Sequence, residues 1–182
     1  MINYLIKTGR LGLRNWLMSD TAPFVTMGQD SKVMRYFPEL LTEADTIALI
    51  NNLKKHYEKY GYTYFAMDEL ASGEFVGFTG LKYQTFESEF TPSVDIGWRL
   101  KRSAWGKGYA TEAAKACLSV AFNEFGLDEV YSFCPDLNKA SEAIMKKIGM
   151  SYLGTLQHPK VANDSRFIHC VVYRSQKPED RS

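Results

Sequence analysis

The chain has 182 residues, 45% of them hydrophobic, with 22 Lys+Arg against 21 Asp+Glu and a net charge of +1. That length fits one domain able to bury about two-thirds of its unfolded surface, and the balanced charge gives no electrostatic argument for a nucleic-acid or anionic-membrane partner. The three cysteines, Cys117, Cys134 and Cys170, are odd in number and lack metal-ligand spacing, so reduced thiols and no metal are expected.

The apolar run from Ile2 to Ile6 is too short for a signal peptide, and no window approaches the ~18 apolar residues of a membrane span. A soluble, cytoplasmic protein is therefore expected. The opening "YLIKTGRLGLRNW" alternates around Gly9 and predicts a strand pair or one bent strand. Ser19 offers a cap to a short helix in "SDTAPFVTMGQD". Thr42 and Asp45 form a loose capping box for a helix through about Tyr60, its apolar face drawn by Ile47, Ile50, Leu53 and Tyr57.

Strands "YTYFAM" and "EFVGFTGLKY" follow, joined by "DELASG", where Gly73 can take a positive φ. A third strand, "SVDIGWRL", leads into "RSAWGKGYATEA". From Tyr109 to Phe125 the pattern is helical: Ala110, Ala114, Cys117, Leu118, Ala121 and Phe125 make one stripe, Glu112, Lys115, Ser119 and Asn123 lie opposite, and Gly126 caps the end. A strand "EVYSFC", a helix from Asn138 to Ile148 closed by Gly149, and strands "MSYLGTLQH" and "RFIHCVVYR" complete the chain. The order implies an α+β domain with a mixed sheet over residues 1–175, and the charged "QKPEDRS" at 176–182 reads as a disordered tail.

A strand running through a glycine-rich turn into a helix leaves unpaired N–H groups at the positive end of the helix dipole, and such a place binds anions. Gly106 and Gly108 let an oxygen approach the backbone, Ala110 and Ala113 keep the first turns close to the sheet, and Lys107 and Arg102 add cations. A P-loop is excluded because the lysine lies between the glycines and tyrosine follows them. A dinucleotide fingerprint fails at Thr111, and Asp128 and Glu129 precede the next strand instead of closing it.

Ser103-Ala104-Trp105-Gly106-Lys107-Gly108 resembles the cofactor loop of the GNAT superfamily of N-acetyltransferases, Gln/Arg-x-x-Gly-x-Gly/Ala, with serine at the first position. "WGKGYATEA", "RLGLRNW" and "VMRYFP" look like the branch that acetylates ribosomal-protein amino termini, and "DLNKASEAIMKKIGM" is similar to the family's later asparagine-containing helix. The resemblance implies a mostly antiparallel twisted sheet with helices on both faces and a splayed central strand pair, formed by "SVDIGWRL" and "EVYSFC". It implies acetyl-CoA as co-substrate. Backbone groups of Trp98, Arg99 and Leu100 would meet the pantetheine and acetyl carbonyl. The N–H groups along Ser103, Trp105, Gly106, Lys107, Gly108 and Tyr109, with Ala110 in the first helical turn, would meet the pyrophosphate, and Asn138 would hold the cofactor's arm.

The implied reaction is attack of a neutral amine on the thioester, which needs a base, a polarised carbonyl and a proton for the leaving thiolate. An α-amine, with a reference pKa near ~8 against ~10.4 for lysine, needs less help at neutral pH. Some relatives use a tyrosine seven residues after the asparagine as the acid. Met145 stands in that slot, so Ser141 is the implied thiolate donor, while Asp95 is either the base or a structural acceptor. His56 is expected in solvent. His158 and His169, on the last two strands, can border the acceptor site in this fold, as can Tyr36 and Phe37 in the "RYFP" turn, although the aromatic cluster they form with Trp98 and Trp105 also fits a core. A protein or peptide amino terminus, ribosomal or other, is the favoured acceptor. A small-molecule amine and a non-catalytic acyl-CoA-binding module are the alternatives, in a monomer or homodimer.

Overall fold

A computed structural model describes residues 2–161 and 164–178. One eight-stranded sheet organises the chain, with β1 (Ile6–Lys7), β2 (Leu11–Arg14), β3 (Tyr64–Glu69), β4 (Glu74–Gln84), β5 (Ser93–Leu100), β6 (Glu129–Pro135), β7 (Ser151–Gln157) and β8 (His169–Gln176) in the order β1-β2-β3-β4-β5-β6-β8-β7. Every neighbouring pair is antiparallel except β5 and β6. The parallel pair needs a long crossover, and α3 (Tyr109–Asn123) supplies it.

Alternation along the strands decides which helices cover which face. On β3, Phe65 and Met67 join the core under α3, and Ala66 between them joins the core under α1 (Thr21–Gln29) and α2 (Glu43–Tyr60). The fully buried Ala113, Ala114 and Ala121 let α3 lie close to the sheet, and Met145 of α4 (Lys139–Lys147) closes the same core. No helix among the described residues is long and apolar enough to cross a membrane.

The capping box of α2 forms as expected: the Thr42 hydroxyl accepts from the Asp45 N–H at 3.1 Å and the Asp45 carboxylate accepts from the Thr42 N–H at 3.0 Å. Its buried stripe differs from expectation. Ile47 is exposed, and Thr46 takes the inward position, its hydroxyl satisfied by the Thr42 carbonyl at 2.9 Å. Ser19 does not cap α1; a 3-10 turn at Met18–Asp20 precedes that helix, and Asp20 faces Arg14 instead.

The loop from Glu69 to Glu74 is a hairpin with Gly73 at φ 70, as expected. The α3 helix stops at Asn123, two residues early, and Gly126 at φ 64 allows Leu127 N–H to close on the Ala121 carbonyl at 3.0 Å. Gln176, placed in the tail by its sequence, ends β8, and Lys177 N–H donates to the Asp128 carbonyl; residues 179–182 lie outside the described residues.

Candidate active site

The β5 and β6 strands share one register pair, Asp95 with Tyr131, and the Ser132 hydroxyl then donates to the Ile96 carbonyl at 2.9 Å. Beyond that point the strands part. A cavity of about 610 Å³ occupies the gap, lined along β5 from Asp95 to Leu100 and along β6 from Ser132 to Pro135. It opens on both faces of the sheet, reaching α3 and α4 on one side and the segment after α1 on the other.

On the α3 side the cavity meets Gly106, Gly108, Tyr109 and Thr111. Gly106 and Gly108 sit at φ 73 and 78, a left-handed conformation that other residues enter at a cost, and a Cβ on Gly106 would meet no atom within 4 Å. No side chain caps α3 at Gly108. Its first ladder bond runs from Glu112 N–H to the Gly108 carbonyl, so the N–H groups of Tyr109, Ala110 and Thr111 precede the ladder. This open, uncapped helix start fits a pyrophosphate. The loop is braced from below: Arg10 donates to the Lys107 carbonyl at 3.0 Å and to Glu112 at 2.8 Å, and its guanidinium lies 4.7 Å from the centre of the Tyr109 ring.

Across the gap, Asn138 caps α4, its Oδ1 accepting from the Ser141 N–H at 3.2 Å. Asn138 itself lines the cavity. Ser141 and Met145 line the same wall. Cys134 also borders the cavity, but burial pushes its thiol up to about 12, which leaves little thiolate.

The opposite side of the cavity holds Asp95, Tyr64 and Arg99. Because alternate residues of a strand share a face, Asp95, Gly97 and Arg99 point together, away from Ile96, Trp98 and Leu100. Asp95 accepts from the Tyr64 hydroxyl at 2.6 Å and from Gln84 Nε2 at 3.0 Å. Burial first, and the Asp95 charge second, hold the Tyr64 phenol well above its usual range. Gly97 makes room for this arrangement, since a Cβ there would stand 3.0 Å from the Tyr64 ring. Arg99 lies 4.0 Å from the centre of the Phe37 ring and 5.4 Å from that of Phe78, and burial lowers its guanidinium to about 10.

Of the residues singled out by sequence, the cavity gathers Tyr36, Phe37, Asp95, Trp98, Arg99, Leu100, Trp105, Gly106, Gly108, Tyr109, Ala110, Asn138 and Ser141. Ser103, Lys107, His158 and His169 do not line it. His158 lies against Phe86, ring centres 4.4 Å apart and planes tilted by 32°, and His169 pairs with Gln157 at the outer end of β8. His56 is half-buried and not solvated: its Nδ1 bonds the Tyr62 carbonyl at 2.8 Å and its Nε2 accepts from the Tyr83 N–H at 3.0 Å. Sequence reasoning missed Tyr64, Gln84 and the Arg99 side chain. The alternation of "SVDIGWRL" puts Arg99 on the face of Asp95, and that pattern was the available signal.

The family model described as Acetyltransferase (GNAT) domain matches residues 10–151. The uncharacterized protein YkkB of Bacillus subtilis (strain 168) is 33% identical over 151 residues, spanning 82% of this chain and 87% of its own. The crystal structure of an acetyltransferase (GNAT family) from Bacillus anthracis superposes with a TM-score of 0.78 at 27% identity, over 94% of this chain and 98% of that one. RimL, a ribosomal alpha-N-protein acetyltransferase in complex with coenzyme A, superposes at 0.75 with 16% identity over 96% and 98% of the two chains, a likeness that shows the fold alone. With a splayed strand pair, a glycine loop opening onto an uncapped helix, and a family match over most of its length, the chain belongs to the GNAT family of N-acetyltransferases.

Proposed function

We propose that the protein transfers the acetyl group of acetyl-CoA directly to an α-amine, the amino terminus of a peptide or protein being the favoured class. The observation that carries this reading is the two-sided cavity: a helix start suited to pyrophosphate faces one side, and Asp95 with Tyr64 faces the other. Acetyl-CoA supplies the thioester carbonyl and a thiolate leaving group. Trp98, Arg99 and Leu100 line the cavity between the two sides, where their backbone groups can hold the pantetheine arm, and Asn138 lines it from α4.

Ser141, in the first turn of α4 and lining the cavity, is the hydroxyl we assign to give a proton to the sulfur, because Met145 offers none. Both oxygens of Asp95 already accept a hydrogen bond. Asp95 and Tyr64 therefore serve to orient the amine and to draw its proton through the phenol more than as an open base, which favours an acceptor that is partly neutral at pH 7.

The reading is tested by incubating the protein with labelled acetyl-CoA and a panel of peptides and small amines. Acetylation of α-amines in preference to lysine side chains is expected, together with loss of coenzyme A affinity by at least tenfold in Gly108→Val. Modification of side-chain amines alone would overturn the proposed acceptor class, and unchanged affinity in Gly108→Val would overturn the loop assignment.

A further inference from the structure

Arg14 is buried and Arg99 is partly buried, and the two guanidinium groups are treated in opposite ways. Arg14 is saturated: Nε and Nη2 bond Asp68 at 2.7 and 2.8 Å, Nη1 and Nη2 bond Asp20 at 2.7 and 2.8 Å, and Nη1 also reaches the Asn15 carbonyl at 3.1 Å. Arg99 has no such shell. Its Nε and Nη1 are shut off from solvent with no hydrogen-bond acceptor, and no carboxylate pairs with it among the described residues. A guanidinium that stays charged at neutral pH and lacks acceptors is costly to bury, and structures keep such groups where a partner arrives from outside.

The surroundings say what kind of partner. The Arg99 guanidinium lies over the rings of Phe37 and Phe78, which attract a cation by their faces but supply no lone pair, and the ionisable group that acts on it, Tyr64, gives its hydroxyl hydrogen to Asp95. The carboxylate on the same strand face, Asp95, is bonded to Tyr64 and Gln84. Lys32 and Arg35 stand exposed on the same side of the cavity, adding positive potential where an acceptor would enter, although the chain as a whole is nearly neutral. One planar guanidinium balances one negative charge and offers paired in-plane donors, the match for a carboxylate.

We propose that Arg99 is a specificity-determining residue that binds a carboxylate of the acceptor, so that the preferred substrates are amines carrying an acidic group close to the reacting nitrogen. This rests on the acetyltransferase reading of the same cavity. The carboxylate can belong to a free amino acid or to an acidic side chain next to a peptide's amino terminus, and the test separates the two sources.

In the kinetic experiment, free L-amino acids are compared with their carboxamides, and peptides with Asp or Glu at the second position with their Asn or Gln counterparts. The expected result is at least a tenfold higher kcat/KM for the carboxylate member in one of the two sets, a discrimination typical of a site built to bond a group its competitor lacks. In Arg99→Met that ratio falls to about one, and Arg99→Lys retains part of it. Equal kcat/KM for carboxylate and amide in both sets overturns the proposal, as does a ratio unchanged in Arg99→Met. Calorimetric binding of the N-acetylated carboxylates and amides to the coenzyme A-loaded protein reads the same preference without turnover. Transfer to no amine would overturn the acetyltransferase reading, while this binding preference, present or absent, decides the role of Arg99. Circular dichroism and coenzyme A affinity of both variants report whether the fold is kept.

Discussion

Gly80 of β4 lies at φ 151, and a Cβ built on it would overlap the Thr63 carbonyl oxygen; Gly77, at φ 144, has the same relation to the Arg99 carbonyl. Both obstacles are backbone atoms, so nothing flexible can give way. Gly80→Ala is expected to cost about 3 kcal/mol, read as a lower urea midpoint with an unchanged slope. A loss below about 0.5 kcal/mol would mean that the strands separate more easily than this packing implies. The glycines of the proposed cofactor loop differ, for Gly106 has no neighbour within 4 Å to strike, and what its position requires is the left-handed turn. Two glycines in "EFVGFTGLKY" read as ordinary strand residues because the sequence does not say which carbonyl faces them.

Among the elements, the β1–β2 hairpin has the most consequence for its size. Arg14 at the end of β2 holds Asp68 of β3 and Asp20 before α1, and the Tyr4 hydroxyl adds a further bond to Asp68 at 3.1 Å. Burial works against the Arg14 charge, but the two carboxylates outweigh it and raise its pKa. Arg14→Met would leave both carboxylates buried without their cation. A destabilisation of about 3–5 kcal/mol is expected by chemical denaturation, whereas a loss under 1 kcal/mol would show that water replaces the guanidinium. The same hairpin carries Arg10 to the cofactor loop, so loosening it should also weaken coenzyme A binding. At the other end of the sheet, Glu142 of α4, held near a pKa of about 2 by Lys146, Lys139 and Tyr173, ties that helix to β8 and so fixes Asn138 and Ser141 against the gap.

For the whole molecule, His56 links stability to pH. Burial lowers its pKa, outweighing the bond to the Tyr62 carbonyl, and the neutral ring is the form that donates to Tyr62 while accepting from Tyr83. A folded-state pKa below the unfolded value means that the unfolded chain binds more protons between the two. Stability from this group is therefore present above pH ~6.5 and is lost as pH falls through the folded value, with a slope of at most about 1.4 kcal/mol per unit. Thermal unfolding of the wild type should weaken below pH 6.5, and His56→Gln should weaken less steeply; parallel pH profiles would remove His56 from that role.

Local patterns were enough to place most elements and the glycine-rich wall of the cavity. Alternation and capping residues give the strands and α2, and the run Gly106, Lys107, Gly108 before an alanine-rich stripe marks an anion-binding helix start, because glycine spacing and helix polarity are properties of adjacent residues. Ile47 and Thr46 exchange places because either can face inward at a spacing of three or four, and only packing against the sheet chooses. His56, Tyr64 and Arg99 belong to a different class. Their meaning depends on residues distant in sequence, thirty-one positions for Tyr64 and Asp95, or on the lack of an acceptor, and a chain contains no local mark of a charge shut off without one. The sequence by itself determined the glycine-rich helix start proposed as the donor side, which backbone conformation builds. The tertiary structure decided the side proposed for the acceptor, because side chains from β3, β5 and the segment after α1 meet there only when the sheet assembles.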